Sequence, residues 1–374
     1  MDFNNLVEGC MNAISAQVGN LNTLNVVIVG KTGVGKSTLV NAIFREDLAT
    51  TGTGRPVTQR MCRYTKKDVP LAIYDTKGFE LGKDAQQEVK EELLETIKEG
   101  YETRDIDKMI HCIWYCVSVT SSRFEPEEVQ WIKDFTAQNQ HQVPIIIVLT
   151  QAFSKKRARE LKDQIETENL NVIQVLPVLA QDYDEFDDGY VVKAYGTDTL
   201  IEIMEKALPD ELQDTLMYVQ QANLESKKKK AQAAVAAAAT AAIAAAASPI
   251  PFSDAAILIP IEVTMLASIT VAFGFDPNKA MLTTLISAVI GTGSTTLVGK
   301  TIVSNLLKMI PGVGTVAGGV ISGGTATLLT TALGEAYIGI MTAMYNGEIK
   351  ENDLETSDGK KKLKKMFKEQ LKKK

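Results

Sequence analysis

The stretch that most constrains the fold of this chain runs from Gly30 to Ser37 and reads G-x-x-x-x-G-K-S. The β-branched apolar run Leu24–Val29 precedes it, and residues 37–44, which have helical spacing, follow it. A phosphate-binding P-loop requires this order, because its glycines turn backbone N–H groups onto the phosphates and the helix N-terminus adds a positive end. The residues predicted to hold a nucleoside phosphate are Gly30, Lys31, Thr32, Gly33, Val34, Gly35, Lys36, Ser37 and Thr38.

A second motif, D-x-x-G from Asp75 to Gly78, follows the short apolar strand 71–74. In P-loop nucleotide hydrolases an aspartate at a strand end holds Mg²⁺, usually through water, and the glycine amide can sense the γ-phosphate. Lys36 is expected to reach the β- and γ-phosphates, and the Ser37 hydroxyl is expected to bind the metal. The two motifs together predict a site for a complex of Mg²⁺ and a nucleotide.

The glycine-rich loop 52–58 lies between these motifs and supplies the remaining metal candidate. A threonine in such a loop can bring its hydroxyl into the Mg²⁺ shell when nucleotide is bound. Thr58 is the preferred candidate, and Thr53 is the alternative. We therefore predict that Thr58 contributes both to metal binding and to catalysis.

Residues 22–207 alternate apolar strands with helical segments, which predicts an α/β fold with a mostly parallel sheet and helices on both faces. Ligands of such sheets bind at the carboxyl ends of the strands, where the P-loop lies. The predicted strands are 24–29, 71–74, 109–119, 143–149 and 171–178, and the predicted helices are 84–99, 125–138, 155–168 and 197–207.

Composition changes abruptly after a predicted helix at 208–230, which ends in the lysine run 227–230. The following residues hold few charges and are rich in alanine, glycine and threonine. Small residues insert weakly into membranes and favour close helix packing, so we expect a tight all-α helical bundle with membrane-seeking surfaces. True membrane spans are the alternative. The runs that reach or approach the length of a span are 255–275, which Pro260 and Glu262 interrupt, 281–299 and 309–334.

Both ends of the chain carry amphipathic patterns. An apolar stripe on residues 1–21 predicts a helix that packs on the helical domain, with membrane contact as the alternative. The last fifteen residues contain nine lysines and an apolar residue at every fourth position, a form suited to anionic membrane surfaces. A solvated, frayed terminus is the alternative for this tail. The predicted domains are therefore 1–21, 22–207 and 208–374.

Global composition argues against several classes of function. The net charge of −6 gives no case for nucleic-acid binding. The four cysteines form no C-x-x-C pair and the two histidines lie apart, which argues against a zinc site or a disulfide framework. No charged segment followed by an apolar segment marks a signal peptide, so we expect a cytoplasmic protein with peripheral membrane attachment.

The P-loop, the D-T-x-G motif and the segments 54–58 and 121–126 resemble those of Ras-like GTPases of the translation-factor-related superclass. Within it, the chain is similar to Era-like GTPases with a C-terminal YcjF-type helical domain and to dynamin-like, immunity-related GTPases. The resemblance implies GTP or GDP with Mg²⁺, and its dynamin-like form implies a homodimer through the nucleotide face and a helical part that works at a membrane, for which the lysine-rich tail indicates an anionic surface. It leaves open an Era-like regulatory or assembly GTPase whose helical domain binds protein, and a nucleotide-gated integral membrane effector.

The chain departs from that family at the guanine-reading motif N/T-K-x-D. Its residues there are Thr150, Gln151, Ala152 and Phe153, so the base-stacking lysine and the guanine-pairing aspartate are both replaced. The resemblance therefore implies GTP without the chief source of guanine specificity. We expect Thr150 and Gln151 to border the base, and Ala180 to offer backbone contacts from the other side.

A second departure concerns hydrolysis, because Phe79 stands where Ras-like enzymes place a water-orienting glutamine. A phenyl ring cannot position water, so intrinsic hydrolysis is expected to be slow. A cation at the phosphates can accelerate phosphoryl transfer by about 10³–10⁵. The candidate cations, supplied by the same chain or by a second copy, are Lys31, Arg55, Lys77 and Arg123.

Overall fold

The chain divides into two compact units. Leu21–Asn223 form one of them, called the sheet unit below, and Met1–Asn20 with Leu224–Lys374 form the other, called the helical unit. The structure is a computed structural model, and it describes residues 3–45, 53–58, 61–76, 82–121, 123–184, 190–246, 254–277, 279–290, 323–350, 356–359, 361, 362, 365 and 369.

Seven strands form the sheet of the sheet unit. They are β1 (Leu24–Val29), β2 (Thr53–Pro56), β3 (Met61–Thr65), β4 (Leu71–Thr76), β5 (Cys112–Ser118), β6 (Ile145–Thr150) and β7 (Gln174–Pro177). The order across the sheet is β2-β3-β4-β1-β5-β6-β7. The five strands from β4 to β7 in that order are parallel, and β2 and β3 add an antiparallel edge.

Eleven α-helices lie within the described residues. They are α1 (Phe3–Gly19), α2 (Lys36–Ile43), α3 (Lys83–Glu102), α4 (Pro126–Gln138), α5 (Lys155–Glu166), α6 (Thr197–Ala207), α7 (Gln213–Val219), α8 (Leu224–Ala246), α9 (Asp254–Phe273), α10 (Lys279–Ile290) and α11 (Gly323–Tyr345). In the sheet unit α2, α6 and α7 cover one face of the sheet, and α3, α4 and α5 cover the other.

The central strand β1 explains this layering. Its residues alternate between the two cores, with Val26 and Ile28 in one and Val27 and Val29 in the other. All are buried, because a parallel sheet covered on both faces leaves neither side of its strands in water. The predicted class, an α/β P-loop domain with a separate helical region, is confirmed.

The sheet has one feature that the sequence did not predict. Residues 53–56, interpreted as a glycine-rich loop, form β2, which pairs antiparallel with β3. Both strands are short and polar and β2 ends in Pro56, so neither shows the apolar run of a buried strand. The strand predicted at 109–119 is also shorter, because single 3₁₀ turns at 106–108 and 119–121 flank β5.

The boundary of the sheet unit lies after Asn223, not after residue 207 as predicted. The predicted helix 208–230 is broken into a 3₁₀ turn, α7 and α8, with a bend at 220–223. Gln220 makes the bend, since its side-chain oxygen accepts from the Ala222 and Asn223 amides at 2.8 and 2.9 Å. The first part of the predicted helix therefore belongs to the sheet unit.

A buried polar pair lies at the amino end of the sheet. The Asn25 amide donates to His111 Nδ1 at 3.0 Å. The Asn25 side chain donates to the carbonyls of Asp107 and Met109 at 2.8 and 2.9 Å. Burial lowers the pKa of His111 from 6.5 to about 4.

In the helical unit α8 packs against α9 and α11, and α1 packs against α9 and α10. A Cβ at Gly334 would lie 2.5 Å from the Val235 side chain, so glycine permits the close approach of α8 and α11. Helix α9 runs through Pro260, which was expected to interrupt it. It also buries Glu262, whose pKa burial raises from 4.5 to about 7.

The lysine run 227–230 is not the exposed basic patch that the sequence suggested. Lys227 is fully buried and donates to the Ala272 carbonyl at 3.1 Å, while Lys228 pairs with Glu225 at 2.8 Å. No helix among the described residues is long and apolar enough to cross a membrane. The apolar residues 291–299 and 309–322, and most of the lysine-rich tail, lie outside the described residues.

Candidate functional site

The P-loop leaves β1 at Gly30 and enters α2 at Lys36, at the carboxyl edge of the sheet. Gly30, Gly33 and Gly35 have φ angles of 154°, 81° and 90°, a region that favours glycine. A Cβ at Gly30 would lie 2.6 Å from the Cys116 carbonyl oxygen of β5, so the loop can pass there only as glycine. Of the other predicted phosphate residues, Val34 is buried, and Thr32, Ser37 and Thr38 are exposed.

The Lys36 ammonium is fixed at the mouth of this loop. Its Nζ donates to the carbonyls of Gly30 at 2.8 Å and Lys31 at 3.2 Å, and it lies 3.8 Å from the Asp75 carboxylate. An ammonium has three N–H donors, so two backbone bonds hold it and leave one donor for a phosphate oxygen.

Ser37 and Asp75 line the same cavity of about 80 Å³, together with Lys36 and with Tyr64 of β3. A hydroxyl and a carboxylate are the hard oxygen ligands that Mg²⁺ prefers. The part of the chain that the structure describes holds no cluster of three His, Cys, Asp or Glu side chains suited to a metal. Mg²⁺ beside these residues is therefore expected to take its other ligands from phosphate and water, as it does in nucleotide sites.

Thr58 is placed outside this cavity. Its hydroxyl donates to the Glu92 carboxylate on α3 and accepts from the Met61 amide at 3.0 Å. Its metal and catalytic roles stay predictions, and they require the hydroxyl to leave Glu92. Of the other predicted catalytic residues, Arg55 lies in β2, as does the alternative Thr53, while Lys77 and Gly78, with Phe79, lie outside the described residues.

Lys31 has a partner that sequence reasoning missed. Its ammonium lies 3.5 Å from the carboxylate of Glu128, whose side chain is 5% exposed at the start of α4. Glu128 also accepts from the Glu125 amide at 3.0 Å, which caps the helix. Burial and, next, the Glu128 charge raise the pKa of Tyr115 well above its usual range. The sequence signal was the spacing of the two glutamates around Pro126, which resembles a capping box at a helix start.

The residues after β6 reach the P-loop from its other side. The Thr150 hydroxyl donates to the Val34 carbonyl at 2.5 Å, and Gln151 Nε2 donates to the Gly33 carbonyl at 3.2 Å. Gln151 has a left-handed backbone with φ of 52°, and its side-chain oxygen accepts from the Ser118 hydroxyl. The two residues predicted to border the base therefore touch the loop predicted to hold the phosphates.

An aromatic pair stands where the family that the sequence resembles places its guanine-reading aspartate. Phe153 stacks on Tyr183, with ring centroids 4.5 Å apart and planes 11° apart. Near them, the Tyr195 hydroxyl donates to the Ala152 carbonyl at 2.7 Å. Ala180, predicted to offer backbone contacts, lies after β7 and packs half-buried against the core. An aromatic stack therefore lies on this side of the site, whereas the phosphate side carries the Lys36 ammonium and the Asp75 carboxylate.

Comparison with known families gives the class of this site. A family model described as 50S ribosome-binding GTPase matches residues 25–151, which include the P-loop, Asp75, Thr150 and Gln151. The chain carries a P-loop GTPase domain. A second model, the domain of unknown function DUF697, matches residues 211–374, in agreement with the expected YcjF-type C-terminal domain.

Relatives of the GTPase domain are similar to this chain at low identity. Septin-1 of Drosophila melanogaster is 28% identical over 189 residues, 44% of this chain and 51% of septin-1. Probable GTP-binding protein EngB of Kosmotoga olearia is 28% identical over 141 residues, 38% of this chain and 69% of EngB. The chain thus spans about half the length of the first of these relatives. The septin GTPase domain structure from Chlamydomonas reinhardtii covers 52% of this chain and 94% of its own, with 12% identity and a TM-score of 0.35.

A GTPase domain binds GTP or GDP with Mg²⁺, and the residues present fit that ligand. Lys36 and the P-loop backbone suit the phosphates, because the ammonium is held in place and the glycine conformations open the loop. Ser37 and Asp75 suit the metal, because both residues carry side-chain oxygens and line one cavity. The base side offers neither the lysine nor the aspartate of the usual motif.

Proposed function

We propose that this protein is a GTP phosphohydrolase of low intrinsic rate, of the dynamin-like, immunity-related type. The observation that carries the assignment is the Lys36 ammonium, held by two P-loop carbonyls beside Ser37 and Asp75. Bound Mg²⁺ would supply charge that stabilises the transferred phosphoryl group. Lys36 would place a further positive charge on the same oxygens, and the P-loop backbone would keep them in position.

Substitution of Lys36 tests the assignment. Lys36→Ala should abolish tight GDP binding in calorimetry and GTP turnover in a phosphate-release assay. Lys67→Ala is the matched control, because the Lys67 side chain is 92% exposed on the turn after β3. If Lys36→Ala bound GDP as tightly as the Lys67→Ala control, the nucleotide would not lie in the P-loop.

The position of Lys31 supports a mechanism in which a single chain hydrolyses GTP without a second copy. It belongs to the P-loop, and the buried Glu128 carboxylate fixes its ammonium 3.5 Å away. Glu128→Gln removes that charge while keeping the shape, so it should lower GTP turnover and leave GDP affinity unchanged. Glu127→Gln is the control on the next residue, since Glu127 pairs with the exposed Lys83. Equal turnover in both variants would leave Lys31 without a role in the reaction.

We propose further that two copies pair across the nucleotide face. Arg123 supports this, because it is exposed in the loop after β5, at the edge of the sheet where the P-loop opens. Glutamates close to it in the sequence could have formed an ion pair with the Arg123 guanidinium. However, Glu127 pairs with Lys83 and Glu128 pairs with Lys31. Within the described residues Arg123 forms no ion pair, so its charge is available to a phosphate of a second copy.

Concentration dependence tests pairing. Turnover per molecule should rise with protein concentration, and light scattering should detect a dimer with a transition-state mimic of GTP. Arg123→Ala should remove the rise. Arg104→Asn is the control, because Arg104 is exposed after α3, away from the P-loop edge, and asparagine tolerates its left-handed backbone. Constant specific activity over a roughly hundredfold dilution, with monomer in every nucleotide state, would exclude pairing.

We propose that the helical unit attaches the cytoplasmic protein to an anionic membrane surface. The nine lysines near the C-terminus support attachment, and each lysine at an anionic surface contributes about 1 kcal/mol. The exposed Lys229 and Lys230 can add to this charge, whereas the buried Lys227 cannot.

Liposome flotation separates the candidate functions. Recruitment to anionic but not neutral vesicles, weakened by salt and by deletion of residues 359–374, supports peripheral attachment. A protein that ignores both kinds of vesicle would favour an Era-like regulatory or assembly GTPase whose helical domain binds protein. A protein that needs detergent, and that alkaline carbonate fails to extract, would favour a nucleotide-gated integral effector.

A further inference from the structure

We propose that the nucleotide base rests on an aromatic wall formed by Phe153 and Tyr183. We infer that this wall replaces the hydrogen bonds that an aspartate at position 153 would make to guanine, so the 2-amino group is not read from that position. The inference rests on the proposed nucleotide site and deepens it, because it names the pair of residues that sets base specificity.

The two rings form one stack, in which each ring covers one face of the other and leaves the outer face for a base. Phe153 follows β6 and Tyr183 follows β7, and the rings stack with centroids 4.5 Å apart and both half-buried. Tyr183 exchanges two backbone hydrogen bonds with Val192, at 2.9 and 2.8 Å. The residue before Phe153 is held by the Tyr195 hydroxyl, which donates to the Ala152 carbonyl at 2.7 Å. Both segments that carry the rings are therefore tied to a neighbouring strand-like segment.

The segment that carries Phe153 begins in contact with the P-loop. Gln151, two residues before Phe153, donates to the Gly33 carbonyl, and Thr150 donates to the Val34 carbonyl. The segment 150–153 thus starts in contact with the phosphate loop and moves outward from it. A nucleotide with its phosphates in the loop directs its base along this carboxyl edge, and β6 and β7 form the end at which Thr150 and Gln151, the residues expected to border the base, contact the loop.

The Phe153 ring cannot accept hydrogen bonds from guanine as the carboxylate of an aspartate would. A phenyl ring offers an aromatic face for stacking but no acceptor for N–H donors, whereas an aspartate offers two oxygens. On the segment that carries Tyr183, both oxygens of Asp182 are occupied, by Lys193 at 2.7 Å and by the Ala194 amide at 2.9 Å. The adjacent Asp184 is exposed and is the alternative reader that the experiment has to examine.

The test is calorimetry with GDP and with IDP, which lacks the 2-amino group, each with Mg²⁺. The wild type should bind both within about twofold, because an unread group adds no affinity. Phe153→Ala should weaken both about tenfold through loss of stacking. Phe153→Asp restores a carboxylate and should create a preference for GDP of about tenfold or more. Tyr183→Phe keeps the ring and should change neither affinity.

A second aromatic stack in the sheet unit provides the matched control. Tyr101 stacks on His141 with centroids 4.3 Å apart, and neither residue lies in the site. Tyr101→Ala should therefore leave both affinities unchanged, which separates loss of stacking on the base from loss of stability. If Phe153→Ala bound GDP no more weakly than Tyr101→Ala, the wall would have no role.

Failure of this inference differs from failure of the proposed function. A wild type that binds GDP more than about tenfold tighter than IDP, while Lys36→Ala abolishes both, keeps the nucleotide site and overturns the aromatic wall. Loss of that preference in Asp184→Ala would then identify Asp184 as the reader. A wild type that binds neither nucleotide overturns the proposed function and this inference together.

Discussion

The sheet unit packs its helices on a sheet, whereas the helical unit packs helices on one another. Both units bury large side chains, among them Trp114 in the sheet unit and Phe273 and Tyr337 in the helical unit. In the helical unit α8 and α11 also approach so closely that a Cβ at Gly334 would lie 2.5 Å from Val235. Both cores therefore depend on buried apolar area, and the helical one depends on this close approach as well. Shortened side chains should weaken either core, while the contact at Gly334 should be sensitive to added volume.

Each unit also buries an ionisable group whose pKa is shifted, and the two shifts have opposite directions. Burial lowers the pKa of His111 in the sheet unit to about 4 and raises the pKa of Glu262 in the helical unit to about 7. Both shifts favour the neutral form, so the sheet unit is weakened by acid and the helical unit by base. The protein's two tryptophans, Trp114 and Trp131, lie in the sheet unit, so fluorescence reports on that unit alone.

The largest expected difference between the units is in their response to nucleotide. GDP with Mg²⁺ at 1,000 times its dissociation constant should stabilise the sheet unit by about 4 kcal/mol. Tryptophan fluorescence in a denaturant series measures this, and hydrogen exchange of residues 323–345 follows the helical unit. Lys36→Ala should remove the effect and Lys67→Ala should keep it. If GDP protected residues 323–345 to the same degree, the two units would unfold together.

The response of the sheet unit to acid is next in size. The pKa of His111 falls from 6.5 to about 4 on folding, so its contribution to stability is full above pH 6.5 and is lost as pH falls toward 4. The loss is about 3 kcal/mol. His111→Asn keeps an acceptor for the Asn25 amide and should flatten this part of the pH curve. The other histidine, the exposed His141, is the control, and an equal effect of His141→Asn would contradict the assignment.

The helical unit should respond in the opposite sense. The pKa of Glu262 rises from 4.5 to about 7 on folding, so its contribution is full below pH 4.5 and is lost as pH rises through 7. Glu262→Gln should therefore stabilise the helical unit at pH 8 by up to about 3 kcal/mol and have little effect at pH 4.5. Hydrogen exchange of residues 323–345 at the two pH values measures this. A stabilisation that is the same at both values would show that ionisation is not its cause.

The smallest expected effect comes from added volume between α8 and α11. Gly334→Ala should destabilise the helical unit by about 2 kcal/mol, because Val235 has to move from its position. In the sheet unit, Gly33→Ala introduces the same methyl group where nothing lies within 4 Å and tests backbone conformation instead. Unchanged hydrogen exchange in Gly334→Ala would mean that the helices can separate without loss of stability.

The class of the fold and the phosphate side of the site could be predicted from sequence because they depend on local patterns. The apolar run of β1, the glycines of the P-loop and the aspartate at the end of β4 all lie in short segments with a fixed chemistry. The helical spacing of α3 to α6 was equally informative. These features need no knowledge of which distant residues touch.

The features of the fold and of the site that could not be predicted from the sequence depend on contacts between residues that are distant in the chain. Strand β3 pairs with β2 on one side and with β4 on the other. Neither β2 nor β3 contains an apolar run from which a strand could be predicted. The partners Lys31 and Glu128, and Phe153 and Tyr183, are far apart in the chain. The sequence suggests that Lys227 belongs to an exposed basic run, but its ammonium donates to a backbone carbonyl of α9. Such contacts follow only from the arrangement of elements in space.

The membership of α1 in the helical unit has a consequence during synthesis. A ribosome makes α1 first, but α9 and α10, against which it packs, follow the whole sheet unit. At roughly 5–20 residues per second, α1 waits on the order of tens of seconds for these partners. Through that interval Leu6, Cys10 and Ile14, which are buried in the finished protein, face water or a chaperone while the GTPase domain folds behind them.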